Sequence, residues 1–492
     1  MTATDLKIDH NPKGLVFTLV LIASMMSIIG SLGAPLLGAV ATANHVTLSS
    51  AEWMLTSTLL TGALATPIMG RLADGHLQKK VVLIALAVCI SGLIIAGLSH
   101  NFATLVVGRA LQGLGMGLMP VTMAIARAHL DATTAAKTVA TLSVTAAVGV
   151  GLGYPLTSVI AEHFDYHAAF WFAAVLILSA WLLAYFKLPT MAKNEKRTFD
   201  WWGSSLLTLG LIGALLVLGE GQLWGWGSTR VVVLGVLSVL LLAWWALFEL
   251  RQNDPLVNLR NSKHRAVITA DISAFIISIA MYLYIPIVVE FVQLPRSTQF
   301  GFGASMLTSG LLLLPLSAAT LGASRFVPLL AKRVNPRIIV PIGACIFALG
   351  SFFFALENHS LWEAFISVGG AGIGAGFTYA AMPGYVVRSV PASETGGALG
   401  FYQLLRSVGL SIGSALAGAI LALYTKHGAP YPDLTGFRAV LLSATGLLVI
   451  AALVSYMLLG DDRGSKSTTV DTTLLMEENG ELGATAFGLA SE

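Results

Sequence analysis

Long apolar runs alternate with short polar segments along the whole chain. Because about 20 apolar residues cross the ~30 Å of membrane hydrocarbon, this pattern predicts an all-α integral membrane protein with fourteen transmembrane helices. The predicted spans lie near residues 15–40, 53–70, 81–98, 103–126, 137–161, 168–187, 203–220, 231–250, 266–292, 304–326, 338–356, 361–386, 395–424 and 437–459. Since the number is even, both termini are expected on the same side of the membrane.

The polar segments divide these spans into blocks of six, two and six. The predicted divisions are an N-terminal segment 1–13, a six-helix bundle 14–188, a linker 189–202, a two-helix insertion 203–250, a loop 251–265, a second six-helix bundle 266–460 and a disordered tail 461–492. Two equivalent bundles that surround a midplane site are the arrangement of alternating-access transporters. The pattern therefore favours a transporter that works by moving one bundle against the other.

Lysine and arginine are distributed unequally between the two sides of the membrane. Of the 28 such residues, 21 lie in segments on the side of the N-terminus, four lie on the other side (Arg230, Arg296, Lys426 and Arg438) and three lie within spans (Arg109, Arg325 and Arg406). Cytoplasmic loops are the ones enriched in these residues. We therefore expect a multi-pass protein of a bacterial inner membrane with both termini in the cytoplasm.

Composition excludes several classes of protein. The 492 residues have a mean hydropathy of +0.80 and are 56% hydrophobic and 11% charged, against about 25% charged in soluble domains. A net charge of +3 gives no indication of nucleic-acid binding. Both cysteines, Cys89 and Cys345, lie in apolar runs, and the chain has neither a phosphate-binding loop nor a catalytic constellation. We expect no enzyme activity, no metal site and no cofactor.

Two of the three arginines within predicted spans are accompanied by glycines. Arg109 opens the stretch Arg109 to Gly117, in which Gln112 and several glycines follow, and Arg406 lies beyond Glu394 in another glycine-rich span. An unpaired charge in the membrane costs several kcal/mol, so each arginine is expected to face the bundle interior, where it finds a partner or water. The alternative is that Arg109 only ties helices together.

Two further segments have features of moving parts. The loop from Gly70 to Lys80 carries Arg71 and Asp74 at the membrane boundary, where an acid and a cation can separate and pair again between conformations. The alternative is a turn with cytoplasmic positive charge. In the fifth span, Gly149, Gly153 and Pro155 predict a bent helix that packs closely against its neighbours.

Together these motifs resemble the major facilitator superfamily, and within it the fourteen-span branch of drug:proton antiporters. The resemblance rests on Gly70 to Lys80, on Arg109 to Gly117 with Pro120, on the sequence Asp-Trp-Trp-Gly at 200–203 and on Gly396 to Gly413. It implies a monomeric secondary transporter that uses the proton gradient to export amphipathic or cationic small molecules. It also implies conformational-switch or gating roles for Asp74, Arg71, Arg109, Gln112, Arg406 and Glu394.

Two positions depart from the pattern of that branch. Its first span carries an aspartate nine residues before a proline, where this chain has Met26, and its fifth span reads Gly-Pro-x-x-Gly-Gly, where this chain has Tyr154-Pro155-Leu156-Thr157-Ser158-Val159. These departures motivate a second hypothesis. In it the protein is an uncoupled or differently coupled carrier of a specific metabolite, siderophore or lipid.

Proton coupling requires an acid or histidine that changes its access to water. Within the spans we expect Glu290 first and Asp271 second to be this group; the alternative is that both are interfacial charges. Aromatic and thioether side chains on inner spans are candidates to line a substrate cavity, although such residues also serve as ordinary core. They are Met25, Met26, Tyr154, Tyr282, Tyr284, Phe377 and Tyr379.

Overall fold

The computed structural model describes residues 12–46, 51, 53–73, 77–190, 200–252, 255, 265–391, 394–426 and 431–458. These residues form sixteen α-helices. They are α1 (Pro12–Ala43), α2 (Trp53–Leu72), α3 (Gln78–Gly97), α4 (Phe102–Leu114), α5 (Leu118–His129), α6 (Ala132–His163), α7 (Tyr166–Lys187), α8 (Trp201–Trp224), α9 (Thr229–Glu249), α10 (Arg265–Gln293), α11 (Met306–Leu311), α12 (Leu314–Arg333), α13 (Ile339–Leu356), α14 (Leu361–Ser389), α15 (Thr395–Leu423) and α16 (Leu434–Leu458).

Polar side chains in the short loops start several of these helices. The side chain of Asn101 accepts a hydrogen bond of 2.9 Å from the backbone N–H of Thr104 at the start of α4. Asp131 accepts bonds from the first turn of α6, and Ser305 accepts one from the first turn of α11. Each cap satisfies backbone donors that have no partner within the helix, so the helix boundaries follow from the residues between the apolar runs.

Twelve helical segments of the described chain are long and apolar enough to cross a membrane. This finding confirms the multi-pass architecture and twelve of the predicted spans. The two remaining predicted spans correspond to α2 and α6, which are rich in threonine, glycine and alanine. Whether these two helices also cross, for a total of fourteen, stays a prediction.

Two predicted spans are interrupted. A 3-10 turn at Gly115–Gly117 separates α4 from α5, and α11 ends at Leu311 before α12 begins at Leu314. Pro315 lies in the first turn of α12, where its missing backbone N–H costs nothing. Both segments, Phe102–His129 and Leu307–Ala331, are nevertheless long and apolar enough to cross a membrane, so the predicted spans over 103–126 and 304–326 are confirmed, and each contains a local break that apolarity alone does not report.

The helices pack into two groups, which we call the N-terminal half (residues 12–187) and the C-terminal half (residues 265–458). In the first, α1 packs on α6 and α4 packs on α2 and α3; in the second, α10 packs on α15 and α16, and α14 packs on α12 and α13. Helices α8 and α9 form a hairpin, and α8 contacts both α2 and α15. The hairpin thus contacts both halves.

The two halves meet on the side of the assembly where α1 begins, which we call the near side. A Cβ atom at Gly70 of α2 would lie 2.5 Å from the backbone oxygen of Gly396 in α15. Close by, Arg127 donates hydrogen bonds to the hydroxyl of Thr395 (2.7 Å) and to the backbone oxygen of Val390 (2.9 Å). The near-side contact therefore combines bare glycine backbone with one arginine.

The halves also meet toward the opposite, far side. The Ser317 hydroxyl of α12 donates a 3.0 Å hydrogen bond to the backbone oxygen of Val148 in α6. A Cβ atom at Gly310 would lie 3.3 Å from the Cα of Pro155. Helices α6 and α12 therefore pack closely there, and the described structure has the two halves in contact toward both sides.

Glycines on two faces of α6 explain how this helix packs. Gly149 and Gly153 face α1, where an added Cβ would meet Ser27 and Ser31 respectively, whereas Gly151 faces Ser317 of the other half. The predicted close packing is confirmed. The helix continues through Pro155, and the bend predicted there stays a prediction.

Candidate functional site

Arg109 is fully buried inside the N-terminal half, with 0% of its surface exposed. Its Nε donates to the backbone oxygen of Met54 in α2 (3.2 Å), and its Nη1 donates to the Gln112 side chain (2.7 Å) and to the backbone oxygen of Ile29 in α1 (3.4 Å). The expectation that this arginine faces the bundle interior is confirmed. Its side chain connects α1, α2 and α4.

Neighbouring polar side chains extend this connection. The hydroxyls of Thr58 and Thr61 on α2 donate to the backbone oxygens of Arg109 (3.0 Å) and Ala110 (2.7 Å). The amide nitrogen of Gln112 donates to the backbone oxygen of Gly92 in α3 (3.2 Å). Because no water competes for these groups inside a membrane, they hold four helices in one register.

Within the described residues, no carboxylate forms an ion pair with Arg109. Its Nη2 atom is buried without a hydrogen-bond partner. Met26, which stands where the resembled branch has an acid, packs instead near Gly115, where an added Cβ would lie 2.6 Å from the Met26 sulfur. The contacts of Arg109 connect helices, as the alternative interpretation of this residue expects, and its gating role stays a prediction.

Replacing Arg109 by lysine is expected to destabilise the protein. A lysine ammonium lacks the planar fork that reaches Met54, Ile29 and Gln112 together, and leaving buried acceptors without a donor costs about 1–3 kcal/mol. Thermal unfolding in detergent should therefore start at a lower temperature than in the wild type. The exposed Arg325 of α12 provides the control, since Arg325→Lys should leave the unfolding temperature unchanged; equal stability of both variants would contradict this prediction.

The C-terminal half contains a buried acid. Asp271 lies six residues after the start of α10 and is 5% exposed, and its Oδ1 atom is buried without a hydrogen-bond partner. A buried carboxylate that lacks full hydrogen bonding is costly when it is charged. The charge state of Asp271 therefore depends on whether water or a cation can reach it.

Arg406 of α15 is also buried, and its charge is held by aromatic rings. The guanidinium carbon lies 4.2 Å from the ring centre of Tyr379 and 6.0 Å from that of Tyr402. Its Nη1 donates to the Gln403 side chain at 3.1 Å. The hydroxyl of Tyr379 in turn donates to the sulfur of Met281 on α10 at 2.6 Å. Cation–π contact is favourable here because the site is desolvated.

Tyr402 lies beside Arg406 on one face of α15, and its hydroxyl donates a 3.8 Å hydrogen bond to the sulfur of Met382 on α14. Helix α15 packs on α10, the helix that carries Asp271. The sequence analysis missed Tyr402 and Gln403. Their spacing from Arg406, four and three residues, places all three on neighbouring positions of one helix face and would have been the signal.

The remaining predicted coupling and gating residues are spread over the assembly. Glu290 is exposed near the far end of α10. Arg71 lies in the last turn of α2 and Glu394 at the first position before α15. Asp74 lies outside the described residues. Of the described candidates, Asp271 and Arg406 are buried on two helices, α10 and α15, that pack on each other.

The predicted cavity residues have different surroundings. Tyr154 of α6 and Tyr282 of α10 are half-buried, one in each half. Tyr284, by contrast, hydrogen-bonds Ser367 and packs edge-on against Phe347 at 5.3 Å. The Cβ of Phe377 packs against Gly343, and Met25 is half-buried in α1. The contacts of Tyr284 and Phe377 are those of core residues, and the cavity position of Tyr154 and Tyr282 stays a prediction.

No group of three or more histidine, cysteine, aspartate or glutamate side chains that could hold a metal ion occurs among the residues whose placement is described. The described side chains can bind a proton at Asp271 and make cation–π, hydrogen-bond and apolar contacts.

Comparison with known proteins supports a transporter. The chain is 25% identical over 377 residues to the multidrug resistance protein Stp of Mycobacterium tuberculosis, covering 76% of this chain and 69% of that protein. It is 21% identical over 379 residues to multidrug resistance protein 3 of Bacillus subtilis, covering 75% and 72% of the two chains. These relatives and the fold indicate a membrane transporter and not an enzyme.

A solved structure and a family model agree on the fold. The human organic anion transporter MFSD10 (TETRAN) superposes with a TM-score of 0.63 at 15% identity, over 91% of this chain and 100% of that one. The family model of the Major Facilitator Superfamily matches residues 16–356 and 270–484. A family whose model spans both halves accounts for the packing described above, and the chain therefore belongs to the major facilitator superfamily.

Proposed function

We propose that the protein is a proton-coupled antiporter of the drug-efflux type that exports amphipathic or cationic small molecules. The observation that carries the proposal is the burial of the acid Asp271, whose Oδ1 atom has no hydrogen-bond partner. Arg406 of the same half forms no ion pair with it and is stacked on Tyr379 instead. The names of the two multidrug resistance relatives support amphipathic or cationic small molecules as the substrate class. In this proposal α2 and α6 also cross the membrane, so that fourteen spans form two six-helix bundles and a hairpin.

Transport in this scheme alternates between the near-side and far-side contacts. When the contact between Gly70 and Gly396 separates, the space between the halves opens to the near side; when the contact between Ser317 and Val148 separates, it opens to the far side. Both contacts consist of small residues and few hydrogen bonds, so separating either contact costs little free energy. Such a two-state element is the requirement for alternating access.

Proton exchange in this scheme takes place at Asp271. A proton and a cationic substrate compete for the same carboxylate, because each neutralises a charge that burial penalises. Arg406 is buried on α15, which packs on the helix of Asp271, and a cation that approaches the acid favours its charged form after the proton leaves. Competition at one site is sufficient to make export depend on proton entry.

Burial favours Asp271 over Glu290 as the coupling group, which reverses the order expected from the sequence. Glu290 is exposed near the end of α10 and keeps access to water in the described conformation. A coupling acid must change its access to water or substrate between states. Glu290 is therefore the weaker candidate and serves below as a control.

The test is proton release on addition of tetraphenylphosphonium to purified protein in proteoliposomes. We expect a substrate-dependent proton signal, and uptake of the cation that a pH gradient drives and a protonophore abolishes. Flux that persists undiminished with the protonophore and follows the substrate gradient alone would instead establish the uncoupled carrier. The missing acid at Met26 and the altered fifth-span motif at Tyr154 are the features that motivate this second outcome.

A further inference from the structure

Arg127 lies in the last turn of α5 and contacts the ends of two helices in the C-terminal half. Its Nη1 donates a 2.7 Å hydrogen bond to the hydroxyl of Thr395, the first residue of α15. Its Nη2 donates a 2.9 Å bond to the backbone oxygen of Val390, which directly follows α14. One guanidinium thus joins the N-terminal half to the place where the chain passes from α14 to α15.

Both acceptors are shielded from water, since Val390 is 4% exposed and Thr395 is 0% exposed. The last carbonyl groups of a helix have no partner inside the helix and carry a partial negative charge, so a cation at this place is favourable. Arg388, the basic residue in the last turn of α14 itself, has an exposed side chain. The end of α14 is therefore capped by Arg127 of the other half.

The neighbouring contact between the halves has a different character. A Cβ atom at Gly70 would lie 2.5 Å from the backbone oxygen of Gly396, and one at Gly400 would lie 3.2 Å from that of Thr66. Glycines let two helices approach closely, but they supply no side-chain hydrogen bond. Hydrogen bonds from a charged donor are roughly twice as strong as neutral ones. Arg127 therefore adds charge-assisted bonds to a contact that glycine packing makes possible.

We propose that Arg127 is the latch of the near side: by capping the end of α14 from the other half, it holds the near side closed. Arg127 is then a positioning residue, which acts on the relative position of the halves and not on the substrate. The proposal rests on the alternating access of the proposed function and not on its proton coupling. The gating residues expected from the sequence do not include Arg127, because its partners lie 263 and 268 positions away along the chain.

The experiment compares Arg127→Met with Arg265→Met. Methionine is a long side chain that has neither the charge nor the donors of arginine. Arg265 is exposed at the first position of α10, so its variant loses the same charge from an exposed position. Two cysteine reporters measure the opening of each side, with a membrane-impermeant maleimide, in nanodiscs that leave both sides accessible. The background lacks Cys89 and Cys345.

The reporters are Thr66→Cys for the near side and Ser158→Cys for the far side. Thr66 of α2 is 1% exposed, and its backbone oxygen lies next to Gly400. Ser158 of α6 is 2% exposed, and its Oγ would lie 3.2 Å from a Cβ at Gly310 of α11. Each of the two hydroxyls donates to a carbonyl of its own helix, so the two cysteine substitutions are comparable.

For Arg127→Met we expect the labelling rate of Thr66→Cys to rise about tenfold, which corresponds to about 1.4 kcal/mol, because the state with the near side open becomes more populated. The labelling rate of Ser158→Cys should stay the same or fall, since the far side closes when the near side opens. Arg265→Met should change neither rate. A merely structural role of Arg127 predicts that both reporters react faster, because a loosened fold exposes both sides. That result, an unchanged rate for Thr66→Cys, or an equal rise in Arg265→Met would overturn the proposal.

Thr395→Val tests the contact itself. Valine keeps the shape of threonine but accepts no hydrogen bond, so this variant should raise the labelling rate of Thr66→Cys less than Arg127→Met does. Combining the two substitutions should give the rate of Arg127→Met alone, because the bond between them is already lost. Effects that multiply would show that Arg127 and Thr395 act independently, and they would refute the latch.

The labelling needs neither substrate nor protons, which separates this inference from the proposed function. If the wild type gives no proton signal, the antiport proposal fails, and the labelling rates still decide the role of Arg127. If proton release is present and Arg127→Met is labelled like Arg265→Met, the latch is refuted and the antiport proposal stands.

Discussion

Asp271→Asn is expected to abolish proton-driven transport while leaving the protein folded. Asparagine has nearly the same shape as aspartate but cannot release a proton, so export can no longer be tied to proton entry. Because Asp271 Oδ1 has no hydrogen-bond partner in the described structure, the amide breaks no contact of that oxygen. We expect the transport rate that a pH gradient drives to fall by at least about tenfold, which corresponds to a free-energy difference of about 1.4 kcal/mol.

Exchange of labelled for unlabelled substrate without a gradient gives the necessary second readout. Since exchange requires only that the halves rock with substrate bound, Asp271→Asn should retain it, which would separate a coupling defect from a folding defect. Glu290→Gln is the matched control, because it neutralises an exposed acid on the same helix and should keep gradient-driven transport. Unchanged gradient-driven transport in Asp271→Asn would falsify the assignment of this residue as the coupling acid.

Gly70→Ala is expected to prevent closure of the near side. The added methyl group would lie 2.5 Å from the backbone oxygen of Gly396 and 3.2 Å from the Cα of Gly400, and backbone atoms cannot move aside as a side chain can. Overpacking of this kind costs about 1–3 kcal/mol. A cost of about 2 kcal/mol shifts a two-state equilibrium roughly thirtyfold toward the state with the near side open.

Labelling of a buried position measures this shift. Thr66 of α2 is 1% exposed, and its backbone oxygen lies next to Gly400, so a cysteine there should react slowly with a membrane-impermeant maleimide while the near side is closed. In a background without Cys89 and Cys345, Gly70→Ala should raise the labelling rate of Thr66→Cys and reduce transport. The control is Gly384→Ala, since a Cβ at Gly384 meets nothing within 4 Å; equal labelling of both variants would contradict the prediction.

The positions and types of the helices follow largely from local sequence. Apolar runs of sufficient length and capping residues such as Asn101 and Asp131 define most helices, because backbone groups in a membrane must be satisfied within the segment itself. The burial of Arg109 follows from the same reasoning, since a charge in an apolar helix must avoid lipid. The interruptions at Gly115–Gly117 and before Leu314 lie inside spans that the apolar pattern identifies, and only the structure shows them because apolarity does not report a local break in a helix.

The role of each buried charge could not be obtained in this way. Glu290 and Asp271 have similar sequence surroundings, yet one is exposed and the other is buried. The difference depends on which helices cover each end of α10. Tyr402 was missed for a similar reason, because its hydroxyl contacts the sulfur of Met382 on another helix. The motif resemblance suggested a gating function for Arg109, which stays a prediction, and the structure adds that its side chain connects three helices.

The sequence by itself determined a multi-pass membrane protein with two helical blocks, a hairpin between them and arginines that face the interior. These features depend on hydrophobic length, charge distribution and helical periodicity, which are properties of short segments. Only the tertiary structure decided that Asp271 is the buried acid, that Arg406 is stacked on tyrosines and that the hairpin packs on the outer face of α15. These depend on contacts between different helices, which local sequence cannot specify because many helix packings satisfy the same apolar pattern.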